Sequence, residues 1–170
     1  DILTFEELRG SIEGKKVIWL GDGNNVCTSY IHAAAQFGFN LVVASPKEFE
    51  PDPKAIKWAN KFGTFVKLIS DPIKAIENAD LVVTDTYTSM HHQKLNSNER
   101  FEIFRGYQVN SELMSKASKR AIFLHCLPAH RNFEVTDEVI DGPQSAVFQG
   151  AENRMHIQKT IMKWCIKGSE

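Results

Sequence analysis

The sequence predicts a doubly wound α/β fold, in which a mainly parallel β-sheet carries helices on both faces. Apolar runs of strand length recur along the chain, and most are rich in Val, Ile and Leu without polar alternation, as in strands buried on both faces. Segments of helical character separate the runs, which gives the β-α-β alternation of such sheets. The predicted strands are Lys16 to Leu20, Asn40 to Ala44, Phe65 to Ile69, Leu81 to Thr84, Ala121 to Leu124 and Ser145 to Phe148.

Helix-start signals lie at the N-terminus and between these runs. Thr4 and Glu7 have the spacing of a capping box. Asp52-Pro53 and Asp71-Pro72 each place a good N-cap residue before a proline at the first helical position. Without an internal repeat or linker, residues 1–170 are predicted to form a single Rossmann-like domain.

The last predicted helix carries more apolar surface than one face of a sheet needs. At about 100° per residue from Met155, its apolar residues fill an arc of roughly 200°. These residues are Ile157, Ile161, Met162, Trp164, Cys165 and Ile166. Two interpretations stay open: the helix is deeply buried, or it also packs on a partner or domain absent from the chain.

Composition excludes several classes of protein. With 42% hydrophobic and 24% charged residues, the chain is neither disordered, collagen-like nor a coiled coil. Its 20 basic and 21 acidic residues give a net charge of -1, which offers no field for nucleic acid or an anionic membrane. No apolar run reaches the roughly 18 residues of a membrane span, and the acidic N-terminus is unlike a signal peptide, so we expect a cytoplasmic protein. Three cysteines without CxxC spacing argue against a disulfide framework or zinc ribbon.

Ligands of open α/β sheets bind at the carboxyl ends of the strands, and the first strand is followed there by Gly21-Asp22-Gly23-Asn24-Asn25. A dinucleotide fingerprint would need a third glycine where Val26 stands and an acidic residue near Ser45, so this turn is weak support for NAD. Asn24 and Asn25 suit a substrate carboxylate beside a helix N-terminus. The alternative is that both amides only satisfy the turn.

Two further segments follow strands. Asp85 begins a stretch of hydroxyl-bearing residues that reaches His92, and its carboxylate could clamp an ammonium group or simply cap a helix. The stretch from His125 to His130 sets a thiol beside an imidazole, which can act as nucleophile, metal ligand or substrate contact, or stay buried and inert. A zinc site from Cys126, His130 and either His91 or His92 lacks recognised ligand spacing. We therefore predict no metal and no cofactor.

The last motif, Glu152-Asn153-Arg154, opens the final helix. A guanidinium there could meet an anion such as phosphate. The alternative is a surface ion pair.

These four motifs, in this order and spacing, resemble the second half of the ornithine carbamoyltransferase family. The similarity runs from Asp1 to about Lys167 and includes Glu50 to Pro53, Gly106 to Asn110 and Thr136 to Ser145. The family joins two α/β domains, of which the first binds carbamoyl phosphate and the second ornithine, and it makes citrulline and phosphate. The resemblance thus implies a transferase of arginine biosynthesis or catabolism, with ornithine and carbamoyl phosphate as its small-molecule substrates.

The resemblance also implies binding residues. Those that would hold ornithine are Asn25, Asp85, Ser89 and Met90. Those that would contact carbamoyl phosphate are Cys126, Leu127 and Arg154. The Leu127-Pro128 peptide bond is expected to be cis, as in the family.

Four side chains would carry the chemistry: Cys126, Asp85, His125 and Arg154. The attacking amine must be neutral, although an amine of lysine type has a pKa of about 10.4. Cys126 in a dry pocket would be its polar neighbour and proton partner, without a covalent intermediate. His125 and Arg154 would stabilise charge that develops on the carbonyl oxygen and the phosphate.

The chain departs from the family pattern in two ways. Tyr87 and His91 stand where the family has Trp and Gly beside the Ser-Met pair, which affects the expected mobility of that loop and the fit of the substrate. The family's Ser-Thr-Arg-Thr and His-Pro-x-Gln segments, which belong to and follow the first domain, have no counterpart in the chain. We therefore expect the ornithine-binding half of a two-domain enzyme, inactive and monomeric alone, whereas the full-length enzyme would be a homotrimer or a multiple of one.

Other functions stay open. Aspartate carbamoyltransferase is disfavoured because it has Leu where Cys126 stands and its substrate would call for more basic residues. Putrescine or an acylated ornithine could replace ornithine. Outside this class, the chain could be a non-catalytic Rossmann-type module that holds NADP or a regulatory ligand, or an interaction domain that uses its last helix.

Overall fold

The computed structural model describes residues 1–63, 66–87 and 97–168. In these residues five parallel strands form one sheet in the order β3-β2-β1-β4-β5. The strands are β1 (Lys16–Leu20), β2 (Asn40–Ala44), β3 (Val66–Leu68), β4 (Leu81–Thr84) and β5 (Ile122–His125). The helices are α1 (Ile2–Arg9), α2 (Asn25–Phe37), α3 (Pro53–Ala59), α4 (Pro72–Ile76), α5 (Ser97–Phe104), α6 (Ser111–Met114), α7 (Asp137–Ile140) and α8 (Val147–Lys167), with short 3-10 turns at Lys47–Phe49, Asn60–Phe62 and Arg105–Tyr107.

The predicted doubly wound fold is confirmed by a core on each face of the sheet. In β1, Val17 and Trp19 pack with α1, α2 and α3, whereas Ile18 and Leu20 pack with α4, α6 and α7. All four side chains are fully buried. Burial on both faces explains why the strands lack polar alternation.

One predicted strand, Ser145 to Phe148, is wrong. Ser145 makes a single parallel bridge to Phe123. The backbone N–H of Phe123 donates to the carbonyl of Gln144 at 2.7 Å, and that of Ala146 donates to the carbonyl of Phe123 at 2.9 Å, after which α8 begins at Val147. The short apolar run is therefore divided between one bridge and the first turn of a helix.

The predicted proline-led helix starts are confirmed, but the capping box is wrong. The side chain of Asp52 accepts from the N–H of Lys54, and that of Asp71 accepts from Ile73 and Lys74. Helix α1 already begins at Ile2, with Asp1 as its N-cap residue, so Thr4 and Glu7 lie inside the helix. Their side chains instead accept hydrogen bonds from α8.

Of the two interpretations of the last helix, deep burial is wrong. Only Val147, Gly150 and Asn153 of α8 are buried, and residues 154–168 are all exposed. The exposed fraction reaches 61% at Trp164 and 84% at Ile166. The wide apolar arc of the sequence is a surface of this chain. Among the described helices, none is long and apolar enough to cross a membrane.

Candidate functional site

The site lies where the order of the strands reverses. The chain runs outward from β1 to β2 and β3, and then returns to β4 on the other side of β1. The carboxyl ends of β1 and β4 are therefore neighbours, with Leu20 opposite Thr84 in the register. Such a switch point opens a crevice, and it brings the turn after β1 next to Asp85.

Asn24 joins these two segments. It is the N-cap residue of α2, and its Oδ1 accepts from the N–H groups of Val26 at 2.9 Å and Cys27 at 3.0 Å. Its Nδ2 donates to Oδ2 of Asp85 at 2.8 Å. Because both ends of the amide are engaged, Asn24 is oriented by the helix it caps and in turn orients the carboxylate.

Asp85 is a largely buried carboxylate, 7% exposed, on which three donors converge. Besides Asn24, the N–H of Thr86 donates to its Oδ1 at 2.7 Å and the thiol of Cys126 donates to the same oxygen at 2.8 Å. Hydrogen bonds to an ionised acceptor are roughly twice as strong as neutral ones, so the carboxylate is firmly held.

Cys126 follows β5, contacts Asp85 and lines a cavity. Partial burial, the hydrogen bond to Asp85 and the charge of Asp85 raise the pKa of the Cys126 thiol to about 12, against a smaller opposing effect of Arg154. The thiol is therefore protonated at neutral pH. It can donate or pass on a proton, but it is a poor nucleophile in this state.

His125 is buried, and both of its ring nitrogens face protein groups. Nδ1 accepts from the N–H of Leu127 at 2.8 Å, and Nε2 lies 3.4 Å from Oε1 of the buried Glu134. Leu127 has a φ of 53°, and its bond to Pro128 is cis, as predicted. The direct catalytic role of His125 stays a prediction; the contacts described here hold the turn that presents Cys126 and Leu127.

A cavity of about 540 Å³ lies beside Cys126. Its wall is formed by the start of α1, the first turn of α2 and the first turns of α8, including Arg154. Arg154 is exposed, and no ion pair engages it within the described part of the chain. Asn25 is also exposed, and its side chain has no hydrogen-bond partner among the described residues, so both groups are available to a ligand.

The two glycines of the turn serve packing within the chain. A Cβ atom at Gly21, whose φ is +121°, would lie 2.4 Å from Cε1 of Tyr87. A Cβ at Gly23 would lie 2.3 Å from the backbone nitrogen of Pro51. In a dinucleotide site the second glycine lets the pyrophosphate approach the backbone, whereas here that space is filled by the chain itself.

Among the residues that the structure describes, one group could hold a metal ion, and it differs from the set considered in the sequence, whose His91 and His92 lie outside the described residues. Ligand atoms of Asp85, His125 and Cys126 lie within 4.8 Å of one another. Binding would displace the contact of a His125 nitrogen with Leu127 or Glu134. His130 lies apart from this set, with Nδ1 3.0 Å from Oγ1 of Thr86.

Comparison with known proteins identifies the family of the chain. The family model "Aspartate/ornithine carbamoyltransferase, Asp/Orn binding domain" matches residues 13–165. The chain belongs to this family. It is 55% identical over 166 residues to an ornithine carbamoyltransferase of Roseobacter denitrificans and 52% identical to one of Ruegeria pomeroyi. Each match covers 98% of this chain but 54% of the relative, so the chain spans about half the length of these relatives.

Solved members of the carbamoyltransferase family share the fold. The chain superimposes on ornithine carbamoyltransferase from Pyrococcus furiosus with a TM-score of 0.91 and 45% identity, covering 99% of this chain and 55% of that one. For the enzyme from Burkholderia thailandensis the TM-score is 0.85 and the identity 40%, over 99% of this chain and 53% of that one.

The structure brings several predicted site residues of this carbamoyltransferase domain together and leaves others apart. Asp85 and Cys126 are in contact, and Cys126 and Arg154 line one cavity. Asn24, which the resemblance did not name among the ornithine-binding residues, donates to Asp85, whereas the predicted ornithine contact of Asn25 stays a prediction. Ser89, Met90 and the neighbouring His91 and His92 lie outside the described residues. Tyr87 is buried, donates its hydroxyl to the carbonyl of Tyr107 at 2.9 Å and stacks on Phe104.

Two buried charged residues near the site were missed by sequence reasoning. Arg100 of α5 pairs with Asp22 of the glycine turn at 2.6 Å, donates to the carbonyl of Tyr87 and lies 5.0 Å from the ring centre of Phe49. Glu134 has no exposed surface and faces His125. The position of Glu134 between two apolar residues was a signal of burial, whereas nothing in the sequence around Arg100 distinguished it from a surface arginine.

Proposed function

We propose that this chain is the ornithine-binding half of an ornithine carbamoyltransferase, which transfers the carbamoyl group of carbamoyl phosphate to ornithine and releases citrulline and phosphate. The observation that carries the proposal is the hydrogen-bonded set of Asn24, Asp85 and Cys126 at the switch point. Cys126 lines the same cavity as Arg154. The names of the relatives that match nearly the whole chain support the same activity.

The set fits the proton chemistry of this reaction. The ornithine amine, with a pKa of about 10.4 for its type, must lose a proton before its nitrogen attacks the carbamoyl carbon. Asp85 attracts the ammonium, and the thiol of Cys126 lies between that carboxylate and the cavity as a proton partner. The protonated thiol can take the first amine proton only as it passes its own proton to Asp85, to which it donates a hydrogen bond. The new C–N bond then replaces the C–O bond to phosphate, the second amine proton goes to the departing phosphate, and Arg154 stabilises the charge of that phosphate.

The charge of Asp85 favours ornithine over aspartate within the family. A side-chain ammonium gains from a carboxylate that three donors already hold in place, whereas a second substrate carboxylate would be repelled by it. Asn25, with its free amide, is suited to the α-carboxylate of an amino acid. Putrescine lacks that carboxylate and would leave this amide unused.

We infer that the other half of the protein covers the exposed face of α8. The face carries six apolar side chains that are more than two-fifths exposed: Met155, Ile157, Ile161, Met162, Trp164 and Ile166. Ile157 also lines the cavity, so the apolar face continues from the site. The relatives have nearly half of their length beyond the part that this chain matches. A second domain packed there would close the cavity from the carbamoyl phosphate side.

The test is an assay of the full-length gene product for citrulline formation from carbamoyl phosphate, with ornithine, putrescine and acetylornithine compared in parallel. We expect activity with ornithine, lost in Cys126→Ala and in Asp85→Asn. Asp71→Asn is the matched control for Asp85→Asn, because Asp71 caps α4 and does not line the cavity. A folded wild-type protein without activity on ornithine would refute the proposal, and activity on putrescine or acetylornithine alone would move it to that substrate.

A further inference from the structure

Asn153 is the last buried residue of α8. It is 8% exposed, whereas residues 154–168 are all exposed. Its Nδ2 donates to Oγ1 of Thr4 at 3.0 Å and to Oε2 of Glu7 at 2.7 Å. A buried amide stabilises only the arrangement that satisfies its hydrogen bonds. Asn153 therefore fixes α8 against α1, and beyond it no described residue of α8 is buried.

Two amide side chains on successive turns of α8 donate to the same carboxylate oxygen of Glu7. Gln149, one turn earlier on α8, donates from Nε2 to the same Oε2 of Glu7 at 2.9 Å. The two amide donors, Asn153 first, hold the pKa of Glu7 below its ordinary value, so Glu7 is an ionised acceptor at neutral pH. Hydrogen bonds to an ionised acceptor are the stronger kind, and two of them one turn apart define a single register between the helices.

This register sets the shape of the cavity beside Cys126. Asp1 and Leu3, at the start of α1, and the α8 segment from Gly150 to Gln158 line it together. Gly150 packs closely, since a Cβ atom there would lie 3.2 Å from Cδ2 of Leu124. A shift of α8 along α1 would therefore move the cavity wall and, with it, Arg154, which directly follows Asn153.

We propose that Asn153 is a positioning residue that acts through Arg154: its hydrogen bonds to Thr4 and Glu7 hold α8 in the register that places the guanidinium for phosphate. The inference rests on the proposed function, in which Arg154 meets carbamoyl phosphate. Thr4 and Glu7 of α1 take part in this positioning as the acceptors of Asn153, although α1 contributes no predicted catalytic side chain. An apolar residue at position 153 would fill the space but would not select one register.

The test compares two single variants and a double variant of the full-length protein. Asn153→Asp replaces the donor with a second carboxylate beside Glu7, and Asn153→Leu removes the donor without adding charge. In Glu7→Gln/Asn153→Asp the amide and the carboxylate exchange places, so the donor comes from position 7 and the net charge equals that of the wild type. Glu6→Gln, an exposed neighbour on α1 that keeps its acceptor oxygen for the N–H of Ile12, is the control.

For each variant the measurements are KM for both substrates, kcat, the urea midpoint of unfolding and the Kd of inorganic phosphate by calorimetry. We expect both single variants to raise the phosphate Kd and the carbamoyl phosphate KM about tenfold, with the ornithine KM within about twofold of wild type. The double variant should recover to within about threefold of wild type, since the hydrogen bond is restored with its direction reversed. Recovery also excludes simple repulsion between Asp at position 153 and phosphate.

Three outcomes would overturn the inference. Equal rises in both KM values would show a general structural defect, and recovery of the urea midpoint without recovery of the phosphate Kd would show a role in stability alone. A wild-type protein that does not bind phosphate would remove its basis. If the wild type binds phosphate but makes no citrulline from ornithine, the proposed function fails, and the phosphate Kd values of the variants still decide the role of Asn153.

Discussion

Replacement of Asp85 by Asn should destabilise the chain because no orientation of the new amide satisfies its three neighbours. One oxygen of Asp85 accepts from Thr86 and Cys126, and the other accepts from Nδ2 of Asn24. If the remaining oxygen keeps the first two donors, the new NH2 group faces the NH2 group of Asn24. Asn24 cannot rotate to help, because its oxygen accepts the two N–H groups at the start of α2.

The magnitude follows from these contacts. At least one hydrogen bond to a charged acceptor is lost, and a largely buried donor is left without a partner, which together cost about 2 to 4 kcal/mol. Urea unfolding, followed by the fluorescence of the buried Trp19, measures the loss. Asp71→Asn is the matched control: Asp71 is an exposed N-cap, where Asn is as good as Asp, so its effect should stay within about 0.5 kcal/mol.

A second readout on the same variant concerns Cys126. The hydrogen bond and charge of Asp85 help to raise the pKa of the thiol, so Asp85→Asn should lower that pKa and speed alkylation at neutral pH. An Asp85→Asn protein that is as stable as the Asp71→Asn control, with an unchanged rate of alkylation, would refute the reasoning.

Four further predictions follow from the described contacts. Iodoacetamide should label Cys126 slowly at neutral pH and faster only as the pH approaches the pKa of the thiol, about 12; rapid labelling at neutral pH would contradict this. Because folding raises this pKa, the contribution of the protonated thiol to stability should be lost as the pH rises above the ordinary thiol value of about 8.5. Gly21→Ala should cost about 2 kcal/mol or more in urea unfolding, because its φ is +121° and Tyr87 fills the space of the Cβ, whereas Gly106→Ala, with no atom within 4 Å, should have little effect; equal effects would contradict the argument. Ile161→Lys should change the free energy of unfolding of this chain by no more than about 0.5 kcal/mol, because the side chain is 53% exposed; a larger loss would show that Ile161 packs within the chain. Light scattering should give a monomer mass for this chain and a trimer, or a multiple of it, for the full-length protein, and a trimer of the chain alone would oppose our expectation.

The strands could be predicted because burial on both faces leaves an uninterrupted apolar run. That signal fails at Ser145 to Phe148, where four apolar or small residues serve one bridge and then a helix start. At Thr4 and Glu7 a local sequence pattern conceals long-range contacts. Their spacing is that of a local cap, yet their hydrogen bonds go to Asn153, far along the chain.

The contact between Asp85 and Cys126 brings together two residues that the sequence analysis named, but the hydrogen bonds around them could not be predicted. Asp85 and Cys126 follow different strands, and the resemblance to a known family named both. The hydrogen bond from Asn24 to Asp85 could not be predicted, because it depends on which residue caps α2, and a sequence pattern does not fix a helix start to one position. Arg100 is buried only because Asp22 and the ring of Phe49 meet it in space.

The side chain of Asn24 contacts both the carboxylate of Asp85 and the first N–H groups of α2, so a change at Asp85 can affect the start of this helix. An ammonium ligand that draws Asp85 away from Nδ2 of Asn24 would leave this amide held by its oxygen alone, and we expect the N–H groups of Val26 and Cys27 to exchange faster as a result. Occupancy of the site can thus be followed by hydrogen exchange at two backbone amides that need not touch the ligand. An amino acid without a side-chain amine would leave their exchange unchanged, so the same two signals separate recognition of the amine from recognition of the rest of the substrate.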